Sequence, residues 1–292
     1  MTTRYERMTI IGVGLLGGSL ARAVRTRNLA ASITGCGRQQ KTLERARAAG
    51  VIDAWSLDIR EAVRDADLVV LCSPVGSFIP RVREMKAALK PGCHVTDVGS
   101  VKGPLVAVVE SLMPPGVHYV GSHPMAGGEK SGFAASYKEL FENAKCWVTP
   151  TPGTDPEALE KVTGLWSALG MEVERIDPEE HDRIVAGVSH LPHVAAYALM
   201  NVVAAVKTPG REDVLEYSAG GLRDSTRLAA ADPVMWRDIC LFNRDQVLPL
   251  IDQYLKALGA LRELIQQGDG ERLEKTFAAA NQHRRRLART CE

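Results

Sequence analysis

The 292-residue chain lacks any charge excess: 36 Lys and Arg against 35 Asp and Glu leave a formal net charge of +1. Nothing in that balance draws it to nucleic acid or to an anionic membrane. The one basic run, His283–Arg289, ends an amphipathic stretch and reads as a solvated helix face. Long apolar runs are missing too. The longest, Val194–Val206, contains Asn201, is too short to span a bilayer, and reads as a buried helix. The opening MTTRYERM is charged and leads straight into a strand, which is not how a signal peptide begins. Of six cysteines (36, 72, 93, 146, 240 and 291) none pair at C-x-x-C spacing. Small buried thiols in a reducing, cytoplasmic compartment are expected, with neither disulfides nor a metal site. There is no internal repeat and no low-complexity tract.

What is present has two periods. From Met8 to about Asp177, short apolar runs alternate with helical stretches: MTIIGVG, SITGCG, DLVVLCS, CHVTDVG, VHYVGS, KCWVTP and MEVERID. Several are apolar throughout, as strands covered on both faces are. The alternation predicts a doubly wound α/β sheet. After Asp177 the strand signals stop and helical spacing takes over. Ile239, Phe242, Leu250, Tyr254, Leu258, Leu261 and Ile265 recur along one long predicted helix, kinked at Pro249. Two domains are expected: an α/β domain over 1–177 and an all-helical one over 178–292.

The first turn of the α/β half carries Gly12-x-Gly14-x-x-Gly17 between a strand and a helix. Gly12 allows the tight turn, Gly14 lets backbone approach a pyrophosphate, and Gly17 lets the helix pack on the strand. With Leu15 and Leu16 these residues form a predicted dinucleotide site, which makes the domain Rossmann-like. An acidic residue after the second strand would favour NAD, but Gly37, Arg38 and Gln39 stand there. A guanidinium at Arg38 can pair with a 2′-phosphate and leans the choice towards NADP. The alternative is that Arg38 stacks on adenine and both cofactors bind.

Ligands in open α/β sheets sit outside the carboxyl ends of the strands. Three predicted strands deliver polar groups there: Ser73-Pro74 beside the cofactor, Asp97 with Ser100 and Lys102, and Ser122 with His123. Pro124 biases His123 towards extended backbone, and the glycines of MAGGEKSG leave room for a substrate. Ser100 could instead cap the next helix. In the helical half, His190 and His193 flank Pro192 without a partnering Cys or acid, so zinc is not expected. Behind Gly220-Gly221 lie Arg223, Asp224, Arg227 and Trp236. Arg223 and Arg227 would share one helical face, suited either to carboxylate capture or to a salt-bridge network.

Taken in order, GVGLLGGSLA, DVGSVK, GSHPMAGGEKSG, SHLPH, GGLRDSTR and DPVMW resemble the prephenate/arogenate (cyclohexadienyl) dehydrogenase family over residues 8 to about 240. The resemblance implies NAD(P)-dependent oxidative decarboxylation in tyrosine biosynthesis: prephenate to 4-hydroxyphenylpyruvate, arogenate to tyrosine, or both. It implies that His123 accepts a hydrogen bond from the ring hydroxyl, assisted by Ser100, and that Arg227 binds the ring carboxylate. His193, Trp236, Gly220 and Ser122 would complete the substrate pocket. A guanidinium nearby would help keep His123 neutral. The resemblance also implies a homodimer through the helices. The 292 residues leave no room for a fused regulatory or mutase domain, so any feedback by tyrosine would act at the active site, through its resemblance to the product.

Two rivals remain at this stage. A β-hydroxyacid dehydrogenase would need a lysine early in the second domain, and residues 177–200 contain none. A non-catalytic dinucleotide-sensing dimer would need the glycine loop but not His123, Ser100 and Arg227 together.

Overall fold

The computed structural model describes residues 4–128, 130–210 and 213–289. Two compact units make up the chain, residues 1–244 and 245–292. The first is built on an eight-stranded sheet: β1 (Tyr5–Ile11), β2 (Ala30–Cys36), β3 (Ala54–Ser56), β4 (Leu68–Leu71), β5 (His94–Asp97), β6 (His118–Pro124), β7 (Lys145–Thr149) and β8 (Glu172–Arg175). Their order across the sheet is β3-β2-β1-β4-β5-β6-β7-β8. The first six strands run parallel, as expected. β7 then pairs antiparallel to β6 and carries β8 with it, a reversal that strand periodicity alone does not encode.

Helices cover both faces. On one side α1 (Leu15–Thr26), α2 (Gln40–Ala48) and α6 (Pro156–Ala168) bring Leu20, Leu43, Val162 and Trp166 to the core. On the other, α3 (Ile59–Val63), α4 (Phe78–Met85) and α5 (Gly103–Ser111) bring Val63, Phe78, Val82 and Val106. β4 shows why its sequence is apolar without alternation. Leu68 and Val70 belong to the first core, Val69 and Leu71 to the second, and all four are fully buried.

Helices follow from residue 178: α7 (Pro178–Val185), α8 (Leu191–Ala204), α9 (Gly220–Thr226), α10 (Pro233–Phe242), α11 (Arg244–Gln267) and α12 (Gly270–Arg289). A single π-type turn, Ala186–His190, joins α7 to α8. Two expectations are corrected here. The apolar run in α8 is not a buried helix: only Ala196 is buried, and Val202 is 65% exposed. The long predicted helix is also interrupted, because Asn243 ends α10 and turns its amide inward; α11 then runs on through Pro249. Among the described residues no helix is long and apolar enough to cross a membrane.

Candidate active site

The glycine turn between β1 and α1 has the shape that a pyrophosphate needs. Gly12 adopts φ +101°, and a Cβ there would lie 2.7 Å from the Cys72 carbonyl oxygen. A Cβ on Gly17 would strike the Gly12 carbonyl oxygen at 2.0 Å, so only glycine lets α1 start this close to the strand. Gly14 opens onto free space, with nothing within 4 Å of a Cβ. It also caps α1 without a side-chain hydrogen bond, and the first turn carries no acidic residue. The N–H groups beside Leu15 and Leu16 are therefore left to an anion. The residues present fit a dinucleotide. Ser73 and Pro74 follow β4 one strand away, where the Ser77 hydroxyl donates to the Ser73 oxygen at 2.7 Å. Arg38 is exposed in the turn after β2.

The segment after β6 folds back over α1. Tyr137 N–H donates to the Ser19 hydroxyl at 3.1 Å, Arg22 donates to Ser136 at 3.0 Å, and its guanidinium lies 5.1 Å from the Phe133 ring centre. Gly127 has open space around it, and a Cβ on Gly128 would meet the Leu15 side chain at 3.6 Å. Gly128, after His123, thus borders the nucleotide turn. Glu129 lies outside the described residues.

Beneath this, a buried carboxylate ties β5 to β6. Asp97 accepts from Lys102 Nζ, from Gly99 N–H at 2.7 Å, from the Tyr119 hydroxyl at 2.8 Å and from Ser122 N–H at 3.1 Å. Both Asp97 and Lys102 are sealed from solvent. Ser122 belongs to this inner layer. Its hydroxyl contacts Thr96 and the Asp97 carbonyl and accepts from Trp166 Nε1 at 3.0 Å. The expectation that Ser122 faces substrate is corrected by strand geometry: neighbouring residues point to opposite faces, and Ser122 takes the α6 side.

His123 takes the other side. It is half-buried, and its Nδ1 lies 2.8 Å from Nε2 of His181 in α7. His181 Nδ1 in turn lies 2.7 Å from Asp182 Oδ1. Burial above all holds the His123 pKa well below the usual histidine value, with His181, the Lys102 ammonium and His190 disfavouring a further cation. A guanidinium is not among the causes, contrary to the sequence expectation. Ser100 is half-buried between Asp97 and α5 and does not cap that helix. Asp182 does so from α7, accepting Lys102 N–H and Gly103 N–H, each at 2.8 Å.

The helical residues join through rings. His193 stacks on Trp236, with centroids 3.5 Å apart, and donates from Nδ1 to the Ser189 carbonyl. The Arg227 charge reaches His193 and, after burial, helps lower its pKa. α9 ends at Thr226, so Arg227 opens a 3-10 turn and does not share a helix face with Arg223; Gly220 starts α9 and is exposed. His190 meets Trp236 edge-on and receives a hydrogen bond from Asn243 Nδ2 at 3.0 Å. That places the His190 proton on Nε2, which, like Trp236 Nε1, is buried without a protein acceptor.

His181, Asp182 and Asn243 were not foreseen as part of this site. The only sequence signal is the HD pair in the first turns of a helix opened by Asp177-Pro178.

Residues 20–175 match the nucleotide-binding domain of prephenate dehydrogenase, and residues 177–279 match the dimerization domain of prephenate dehydrogenase. A cyclohexadienyl dehydrogenase of Zymomonas mobilis is 36% identical over 97% of this chain and 96% of its own. The prephenate dehydrogenase of Aquifex aeolicus, solved with hydroxyphenyl propionate and NAD+, superposes with a TM-score of 0.90 at 36% identity, covering 97% and 98% of the two chains. An arogenate dehydrogenase of Synechocystis superposes at 0.79 with 29% identity, covering 96% and 99%. The glycine turn, the histidine at the end of β6 and the full-length matches agree: the chain belongs to the prephenate dehydrogenase family.

Proposed function

We propose that this chain oxidatively decarboxylates prephenate, arogenate or both, with His123 as the base on the ring hydroxyl. The observation that carries this reading is a neutral, half-buried imidazole at the carboxyl end of β6, followed by a segment whose Gly128 lies against Leu15 of the nucleotide turn. A bound nicotinamide supplies the hydride acceptor. His123 takes the hydroxyl proton as the ring carbon gives up hydride, and the ring carboxylate then leaves as CO2 with its bonding pair completing the aromatic ring. Ser100 assists at the same hydroxyl. Arg227 orients the ring carboxylate without holding it indefinitely, because CO2 must depart. His193, Trp236 and Gly220 line the pocket. Turnover of prephenate and of arogenate, each with NAD+ and NADP+, tests the reading; no turnover in any of the four combinations refutes it.

Residues 1–177 hold the nucleotide through Gly12, Gly14, Leu15, Leu16, Gly17, Ser73 and Pro74, and Arg38 tilts the choice to NADP. Arg38→Asp is expected to lower kcat/KM for NADP+ by about tenfold or more, the loss of a charge-assisted pair. An unchanged NADP+ to NAD+ ratio removes Arg38 from that role. Arg227→Ala is expected to raise KM for the carboxylate substrate about tenfold or more while kcat falls less; an unchanged KM takes it out of the carboxylate site. Tyrosine is expected to inhibit competitively with substrate, and non-competitive kinetics would place it elsewhere.

Residues 178–292 carry the substrate pocket and the dimer contact. Leu199 and Val202 in α8, and Leu255 and Ile265 in α11, are exposed apolar side chains within the stretch that matches the dimerization domain. A homodimer covers such surfaces. Val202→Asp should convert it to a monomer by light scattering; a dimer of unchanged affinity would show that α8 lies outside the contact. Among the described residues the five cysteines are free and mostly buried (Cys291 lies outside them), and with Cys36 pushed up to about 11 and Cys93 to about 12 by burial they suit a reducing cytoplasm, which cell fractionation can check.

A further inference from the structure

Behind His123 runs a line of side chains that admits one proton arrangement. Asp182 is buried, and both its oxygens already accept backbone N–H groups at the start of α5. An ionised carboxylate only accepts, so His181 Nδ1, at 2.7 Å, must carry its ring proton. A neutral imidazole has one such proton, which leaves His181 Nε2 as a lone pair. His123 Nδ1, 2.8 Å from that lone pair, must then be the donor. The single proton of His123 therefore sits on Nδ1, and its Nε2 is bare. That is the tautomer able to take a proton from a substrate hydroxyl.

We propose that His181 and Asp182 are positioning residues that fix the tautomer and ring orientation of His123 and hold its imidazolium while the substrate proton resides there. The inference rests on the reading of His123 as the base.

Three features argue against a merely structural role. His181 is fully buried, where an apolar side chain would pack without the cost of desolvating two ring nitrogens. Its ring plane is set by Trp147, edge-on at 5.4 Å, so that Nε2 meets His123. Asp182 is not needed by its own helix either, because Asp177 already accepts from Glu179 N–H and Glu180 N–H. No atom leaves the line during turnover. The substrate proton bonds to His123 Nε2, the Nδ1 proton of His123 stays between the two rings, and the His181 proton stays on its Nδ1, donated to the Asp182 carboxylate.

The test compares His181→Leu with His181→Gln in the full-length enzyme, using prephenate and saturating NAD+. Leucine removes the acceptor, and kcat should fall about 100-fold or more with KM and NAD+ affinity within about threefold. Glutamine can offer an amide oxygen to His123 Nδ1 and should restore at least about tenfold over leucine. Ring ¹⁵N spectra of histidine-labelled protein should show His123 of the unaltered enzyme protonated on Nδ1 and bare on Nε2, and a mixture of tautomers in His181→Leu. The proposal is overturned by a wild-type His123 protonated on Nε2, by kcat of the leucine variant within threefold of wild type, or by equal losses in both variants that follow their loss of thermal stability. Should the leucine variant not fold, the wild-type spectrum still decides. Full turnover in His123→Asn would sink the base reading alone, since the tautomer is read by spectroscopy whatever the substrate.

Discussion

His123→Asn is expected to lower kcat by about 10²–10⁴-fold, the range for losing a positioned general base, while KM changes by less than about threefold. Asparagine keeps a polar side chain of similar reach at the end of β6, so the pocket remains and only the proton acceptor goes. The acid limb of the wild-type pH profile gives the matching signature. Burial, His181, the Lys102 ammonium and His190 all hold His123 below the ordinary histidine value, and Asp182 faces it only through His181. The base works unprotonated, so kcat/KM should fall as pH drops through that lowered value, with its acid limb below about 6.5. Stability follows the same direction. His94, His123, His181 and His190 all have depressed values, so below about pH 6.5 the unfolded chain binds more protons and the fold weakens. Circular dichroism at each pH separates the two effects. A His123→Asn enzyme with wild-type kcat would dismiss the base assignment.

Asp97→Ala is expected to destabilise the protein by about 3–5 kcal/mol, seen as a thermal midpoint lower by about 10 °C. The change leaves the Lys102 ammonium buried without its carboxylate. It also strips partners from Gly99 N–H, the Tyr119 hydroxyl and Ser122 N–H in one step. Pairing it with Lys102→Met removes the orphaned charge, and the double variant should be more stable than Asp97→Ala alone. If the single variant melts within about 2 °C of wild type, the ion pair is not what holds β5 to β6. Activity should fall with stability, because Ser122 and His123 sit on the strand that Asp97 anchors.

The parallel core was legible because buried strands must be apolar on both faces, as β4 is, and because only glycine satisfies the Gly12 and Gly17 contacts. The short strand β3, with three residues, and the five-residue helix α3 left no periodic signal to read. The reversal of β7 was equally silent, since a strand's composition does not record its direction. The uninterrupted helical spacing from Ile239 to Ile265 hid the break at Asn243, whose amide serves His190 and the Asp182 carbonyl.

By itself the sequence determined the class of protein and the chemistry at hand: an α/β nucleotide domain followed by helices, a histidine at a strand end, and glycines around it. Those are local properties, written in periodicity and in residues that tolerate no substitute. Only the tertiary structure decided which neighbours act on them. It turned Ser122 inward and His123 outward, although they are adjacent in the chain, because the pleat sends them to opposite faces. It also brought His181 and Asp182, 58 residues and more away, onto His123 and the start of α5. Such contacts depend on how α7 packs across the sheet, and no spacing within the chain records it.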